Sequence, residues 1–214
     1  MKTPSGFIQG YGAQAVANEN QIVLAAEVTS AQNDYDQLHP MIDAMNQNLE
    51  AADVKQKVGT LVADSGYLSD DNLLAANDDT PDLLIAAAND RYQRTDKKAP
   101  RGPIPKNLSP TRRMARKLAT KRGQSLYRKR AQMVEPVFAH RKTRGCGRFM
   151  RRGRSACDSE WKLECTTHNI LKVWRSGSGK GPDQTTGSRR TIRDSGRMTI
   201  PQRVPGWIRC KNAC

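Results

Sequence analysis

Val58-Gly59-Thr60-Leu61-Val62-Ala63-Asp64-Ser65-Gly66-Tyr67 decides how the chain folds. Residues 58–63 are mainly apolar and too few for a helix, so they read as a buried strand that stops at Asp64. Just downstream, Ser69-Asp70-Asp71-Asn72 supplies helix-capping side chains ahead of Leu73, Leu74 and Ala75. A second short apolar run occupies residues 83–87. Strand, helix, strand at this spacing predicts a βαβ unit, and therefore a parallel pair.

Upstream, residues 6–16 and 21–29 are β-prone runs around the polar turn Asn18-Glu19-Asn20, which predicts an antiparallel hairpin. Leu38, Met41, Ile42, Met45 and Leu49 then recur at helical spacing across residues 37–53. Downstream, residues 91–110 mix Pro100, Pro103, Pro105 and Pro110 with basic residues and read as a linker. Residues 111–122 and 124–142 are rich in helix formers and separated by Gly123, and residues 158–175 form another helical stretch. Apolar periodicity is lost after Arg175, so disorder is expected over residues 176–214. Four regions follow: a sheet region 1–90, a linker 91–110, a helical region 111–175 and a basic tail 176–214.

The formal net charge of +15 conceals a division. Residues 1–90 carry 3 lysines and no arginine against 14 acids, whereas residues 91–214 carry 33 bases and 7 acids. An acidic half joined to a basic one suggests that one end faces a polyanion, of which nucleic acid is the commonest. The longest apolar run is residues 83–88, far short of a bilayer span, and no secretory signal opens the chain, so no membrane partner is expected. Five cysteines without a C-x-x-C pair suggest reduced thiols, and the spacing of Cys157, Cys165 and His168 matches no zinc pattern. Gly177-Ser178-Gly179-Lys180-Gly181 lacks both the Ser or Thr after its lysine and the preceding strand of a phosphate-binding loop.

Two carboxylates suit phosphodiester chemistry, which commonly uses a pair of hard cations held by acids. Asp64 ends an apolar strand, where parallel sheets place functional groups. Glu135 is the sole acid among the basic, apolar and neutral residues 127–138, a field that favours its ionised form. Arg128, Glu135 and Lys142 are seven apart, so one helix would carry an acid between two phosphate-gripping bases on one face, subject to a kink or restart at Pro136.

With those residues in view, the chain resembles the DDE transposases of bacterial insertion sequences, in the group with an IS-four-type, ribonuclease-H-like catalytic domain. Similar stretches run in order: Gly10-Tyr11-Gly12-Ala13-Gln14-Ala15-Val16, Leu24-Ala25-Ala26-Glu27-Val28-Thr29, Leu61-Val62-Ala63-Asp64-Ser65-Gly66-Tyr67, Val134-Glu135-Pro136-Val137-Phe138 and Thr167-His168-Asn169-Ile170-Leu171-Lys172. The resemblance covers most of residues 6–175 and implies an α/β fold. That fold would be a truncated ribonuclease-H-like one, with a β-hairpin, a βαβ unit, C-terminal helices and a disordered basic tail.

The resemblance makes Asp64 the second catalytic aspartate and Glu135 the catalytic glutamate, both ligands of Mg2+ or Mn2+ in a two-metal site. Tyr127, Arg130 and Lys142 fill the signature around Glu135 and, with Arg128, would contact DNA. It implies DNA partners, namely insertion-sequence ends and target, a homo-oligomer in the complete parent, and a cytoplasmic, nucleoid-associated location. Two departures matter. Four residues separate Arg130 from Glu135 where the family has three, and no aspartate precedes Asp34, although the family places its first catalytic aspartate upstream of the hairpin. Asp34 and Asp36 follow the second hairpin strand and are not positioned like that residue. The expectation is a transposase fragment, inactive alone in metal-dependent cleavage and strand transfer. The alternatives are a non-catalytic DNA-binding remnant or an unfolded product.

Overall fold

The computed structural model describes residues 10–31, 33–77, 79–86, 102–105 and 107–177, and the backbone of residues 2–3, 6–7 and 206–213. Strands β1 (Lys2–Thr3) and β2 (Gly6–Phe7) pair antiparallel as a sheet of two. The expected hairpin is formed by β3 (Tyr11–Asn18) and β4 (Val23–Thr29), in register from Gly12 opposite Thr29 to Ala17 opposite Val23. Its turn is closed by the Asn18 side-chain oxygen, which accepts from the backbone N–H of Asn20 and of Ile22, both at 3.0 Å. Gln21 takes the left-handed conformation there, with φ 63°.

A 3-10 turn (Tyr35–Gln37) leads into α1 (Leu38–Ala51), which buries Leu38, Met41, Ile42 and Met45 as their spacing requires. The predicted βαβ unit follows: β5 (Thr60–Ala63), a 3-10 turn (Ser65–Tyr67), α2 (Asp70–Leu74) and β6 (Asp82–Ile85). Ser69 caps α2 by accepting from the Asn72 N–H at 3.1 Å, and β5 and β6 run parallel from Thr60 beside Asp82 to Ala63 beside Ile85.

The helical region comprises α3 (Pro110–Leu118), α4 (Lys121–Arg128), α5 (Arg130–Thr143) and α6 (Arg154–Gly177). The breaks differ from those expected. Gly123 lies inside α4, and the chain turns instead at Ala119-Thr120 and Lys129, with the Thr120 hydroxyl accepting from the Gly123 N–H at 3.0 Å. Glycine is required at 123 by proximity, because a Cβ there would stand 2.4 Å from the Lys117 carbonyl oxygen. Most of the predicted linker lies outside the described residues, and its last residue, Pro110, belongs to α3 with Ser109 as cap.

The tail holds the largest departure. Residues 178–205 lie outside the described residues, but β7 (Gly206–Ala213) is a strand, not a disordered segment. The second sheet has the order β4-β3-β7-β5-β6. β7 pairs antiparallel with β3 from Tyr11 opposite Ala213 to Asn18 opposite Gly206, and parallel with β5 from Leu61 beside Gly206 to Ala63 beside Ile208. Sequence periodicity missed it because the apolar pair Trp207 and Ile208 is followed at once by Arg209 and Lys211. The cause is tertiary: β3 and β5 are buried strands whose facing backbone groups need partners.

The outer edge of the sheet is closed by α6. Asn169 accepts from the Val23 N–H and donates to the Val23 carbonyl, both at 2.8 Å, so its amide acts as a neighbouring strand would. At the other end of β4, Asp158 accepts from the Val28 N–H at 3.0 Å and the Arg154 guanidinium donates to the Val28 carbonyl at 3.1 Å. Between them Trp161, 1% exposed, donates its indole N–H to the Gln14 carbonyl at 2.8 Å and stacks on Phe138 at 5.3 Å between centroids.

Gly123→Ala should destabilise the chain by about 1–3 kcal/mol, the cost of overpacking against backbone. Gly147→Ala, with nothing within 4 Å of the added carbon, should stay within about 0.5 kcal/mol. Paired urea titrations of the two variants check the difference.

Candidate functional site

Asp64 leaves the end of β5 in an extended conformation, with φ −70° and ψ 162°, and its carbonyl accepts from the Tyr67 N–H at 3.1 Å. Gly66 in this turn makes room for Asp34, whose carboxylate oxygen would lie 3.1 Å from a Cβ at that position. Tyr67 is fully buried, and its carbonyl and that of Tyr35 both accept from the Asn72 amide, at 2.9 and 2.7 Å. The turn that carries Asp64 is therefore fastened to α2 and to the segment before α1.

Arg130, the first residue of α5, donates from Nη1 to Asp64 Oδ1, and its guanidinium lies 5.2 Å from the centroid of the Tyr127 ring. Three residues singled out from the sequence thus converge. Their arrangement differs from the expected one in a telling respect: Arg130 faces a carboxylate, holding the acidic half of the chain to the basic half. Both side chains remain partly exposed, at 21% for Arg130 and 30% for Asp64, so the pair is screened and contributes modestly to stability.

The stripe of Arg128, Glu135 and Lys142 is interrupted. Arg128 ends α4 and Lys129 separates it from α5, so only Glu135 and Lys142 share one helix. All three are exposed, and Glu135 and Lys142, two turns apart, occupy one face opposite buried Met133, Val134, Val137 and Phe138.

Pro136 neither ends nor restarts α5, which runs through it. A proline cannot donate to the carbonyl four residues earlier, here that of Gln132. That carbonyl accepts instead from the Gln21 amide at 2.7 Å. Gln21 also accepts from His168 Nε2 at its carbonyl, at 2.8 Å, and from Lys172 at its side-chain oxygen. One turn residue in left-handed backbone therefore links the hairpin to both long helices.

Sequence reasoning missed two further pairs. Arg141 is 7% exposed, donates to Glu164 at 2.7 Å, and lies 4.4 Å from the Phe149 ring and 5.7 Å from that of Trp161. A signal was available, since Arg141 follows Val134, Val137 and Phe138 on the apolar face of α5. Burial pushes the Glu164 carboxyl above its ordinary range, partly countered by the Arg141 charge. His140 and His168 meet Nδ1 to Nδ1 at 3.0 Å. Because His168 Nε2 faces a carbonyl, it carries the proton, and His140 must donate across the pair. Nothing in the sequence links these histidines, 28 residues apart.

Among the described residues no three His, Cys, Asp or Glu side chains are grouped to hold a metal ion. Cys157, Cys165 and His168 are all buried on α6. The Asp64 carboxylate is engaged by Arg130; β7, on one side of β5, has no Asp or Glu, and on the other side Asp82 of β6 lies beside Thr60, at the opposite end of β5 from Asp64. This arrangement does not fit a two-metal centre, and no chemical step is derived through one. No described helix is long and apolar enough to cross a membrane.

Residues 93–174 match the family model described as a Transposase DDE domain, which supports a DDE transposase. The match contains Tyr127, Arg128, Arg130, Glu135 and Lys142 and leaves Asp64 outside it. No curated protein and no solved structure matches the chain.

The histidine pair makes stability depend on pH. Burial is the largest cause lowering both pKa values, joined for His140 by Arg144, Lys172 and Arg175 and for His168 by His140, Lys172 and Arg144, while the Gln21 carbonyl opposes the shift at His168. With folded values below the unfolded one, the unfolded state takes up more protons, so stability is full above about pH 6.5 and falls as acid is added. His140→Gln should flatten the loss between about pH 7 and 5, as thermal melts across that range would report.

Proposed function

We propose that this chain is a transposase-derived DNA-binding unit whose Asp64 site does not cleave DNA by itself. The observation that carries the reading is the matched stretch 93–174, which contains the exposed bases Arg128 and Lys142 and brings Arg130 onto the Asp64 carboxylate. The matched domain suggests a role in transposition, and its family generally uses divalent metals. In the complete parent, Asp64 and Glu135 would be the acids that hold Mg2+ or Mn2+. Here Arg130 already neutralises Asp64, β7 brings no carboxylate, and Asp82 of β6 lies at the far end of β5.

The mixed sheet, an antiparallel hairpin and a parallel pair with helices packed against it, supports a ribonuclease-H-like reading of the α/β fold. Tyr127 and Arg130 would then be positioning residues at the acidic site, while Arg128 and Lys142 contact phosphates. IS-four-type ancestry, fragment status and oligomerisation of the parent belong to this same proposal.

Affinity for a duplex of unrelated sequence should fall steeply with salt, because each neutralised phosphate releases counterions. Arg128→Ala combined with Lys142→Ala should weaken binding several-fold and flatten the salt slope by about 1 to 2. Asp64→Ala should leave affinity within about twofold. Fluorescence anisotropy across a salt series reads all three. Magnesium-dependent nicking by the purified chain, abolished by Asp64→Ala, would overturn the non-cleaving reading.

A further inference from the structure

Between α5 and α6 the chain reads Arg144-Gly145-Cys146-Gly147-Arg148-Phe149-Met150-Arg151-Arg152-Gly153, an irregular loop. It lies in a stretch with no Asp or Glu from Pro136 to Cys157. Its backbone is fastened at several points. Gly145 and Gly153 turn the chain at either end in left-handed conformations, with φ 79° and 89°, and the Cys146 N–H donates to the Arg141 carbonyl at 3.1 Å. In the middle, the Glu160 carboxylate accepts from the Met150 N–H at 2.9 Å and from the Arg151 N–H at 3.1 Å. The Arg151 carbonyl accepts from the Cys157 thiol at 3.1 Å. Phe149 is partly buried against the Arg141 guanidinium, which is itself tied to Glu164.

This fastening holds the backbone and leaves a set of side chains in solvent. Arg148, Arg151 and Arg152 are exposed, and Met150 between them is 85% exposed, the most of any large apolar side chain described. An apolar side chain left in water contributes little to the core. Held on a fixed backbone, it loses less entropy when a partner covers it than it would on a loose loop.

We propose that residues 148–152 form a minor-groove probe for A·T-rich duplex DNA. The inference rests on the DNA-binding reading above and adds the groove that is entered and the sequence class that is selected. The minor groove is about 6 Å wide, a space that suits a short loop, whereas the major groove is read by helices and two-stranded ribbons. Narrow A·T-rich grooves concentrate negative potential, which attracts inserted arginines. An apolar side chain flanked by those arginines can then enter between base pairs, partly unstacking the step and bending the duplex. Met150 is that wedge, and a flexible TA step is its preferred point of entry.

The test uses the full chain and two duplexes of equal length, one A·T-rich with a central TA step and one G·C-rich. Each carries a fluorophore pair at its ends, so that anisotropy reads affinity and energy transfer reads bending. The parent chain should bind the A·T-rich duplex at least about fivefold more tightly and bend it by about 20° or more. Met150→Ala should abolish the bend and reduce the preference to about twofold or less, leaving affinity for the G·C-rich duplex within about twofold of the parent. Because Met150 is so exposed, the variant should melt with the parent. Combining Arg148→Ala, Arg151→Ala and Arg152→Ala should also erase the preference. Equal affinity of the parent for both duplexes, each falling with salt, would overturn the groove assignment and leave the DNA-binding reading standing. Binding to neither duplex would overturn both. A bend that survived Met150→Ala would refute the wedge.

Discussion

Eleven residues of helix and five of strand have almost the same length, and much of this structure depends on that coincidence. From Asp158 to Asn169 α6 rises about 16.5 Å, and from Val28 back to Val23 β4 spans about 17 Å. The side chains at the two ends of the helix segment therefore reach the exposed N–H and C=O groups at the two ends of the strand. An edge strand left bare would pair with another chain, and here a helix occupies that edge. Trp161 lies between the two anchors and donates to β3, so the same helix registers the hairpin from edge to interior.

From that clamp the candidate site follows by connection. α6 holds the hairpin, and its His168 and Lys172 hold Gln21 in the hairpin turn. Gln21 takes the carbonyl that Pro136 leaves free on α5, and the first residue of α5 is Arg130. The contact of Arg130 with Asp64 is thus the last link of a chain running from one sheet edge, through the turn and a proline-interrupted helix, to the end of β5. Asp64 is no isolated carboxylate; its electrostatic surroundings are set by how the basic half is docked on the acidic half.

Local signals were readable in proportion to their periodicity. The spacing of Leu38, Met41, Ile42 and Met45 fixes which face of α1 is buried, and the apolar run ending at Asp64 is a strand because it is too short for anything else. Gly123 is no helix break: its missing Cβ admits the Lys117 carbonyl, a close approach that composition does not reveal. The seven-residue stripe through Arg128 failed because Lys129 turns the chain between two helices that composition alone had fused. The convergence of Asp64, Tyr127 and Arg130 could be anticipated only through family resemblance, since Asp64 and Arg130 are 66 residues apart.

By itself the sequence determined the division of charge, the parallel βαβ unit, the amphipathic α1 and the identity of the acids and bases at issue, because each is written in neighbouring residues. Tertiary structure decided which acid meets which base, that Arg141 is buried against Glu164, and that His140 finds His168. It also decided that residues 206–213 are a strand at all. Nothing in Gly206-Trp207-Ile208-Arg209-Cys210-Lys211-Asn212-Ala213 demands extended backbone. The demand comes from β3 and β5, whose buried facing edges must be hydrogen-bonded by whatever segment the chain can bring between them.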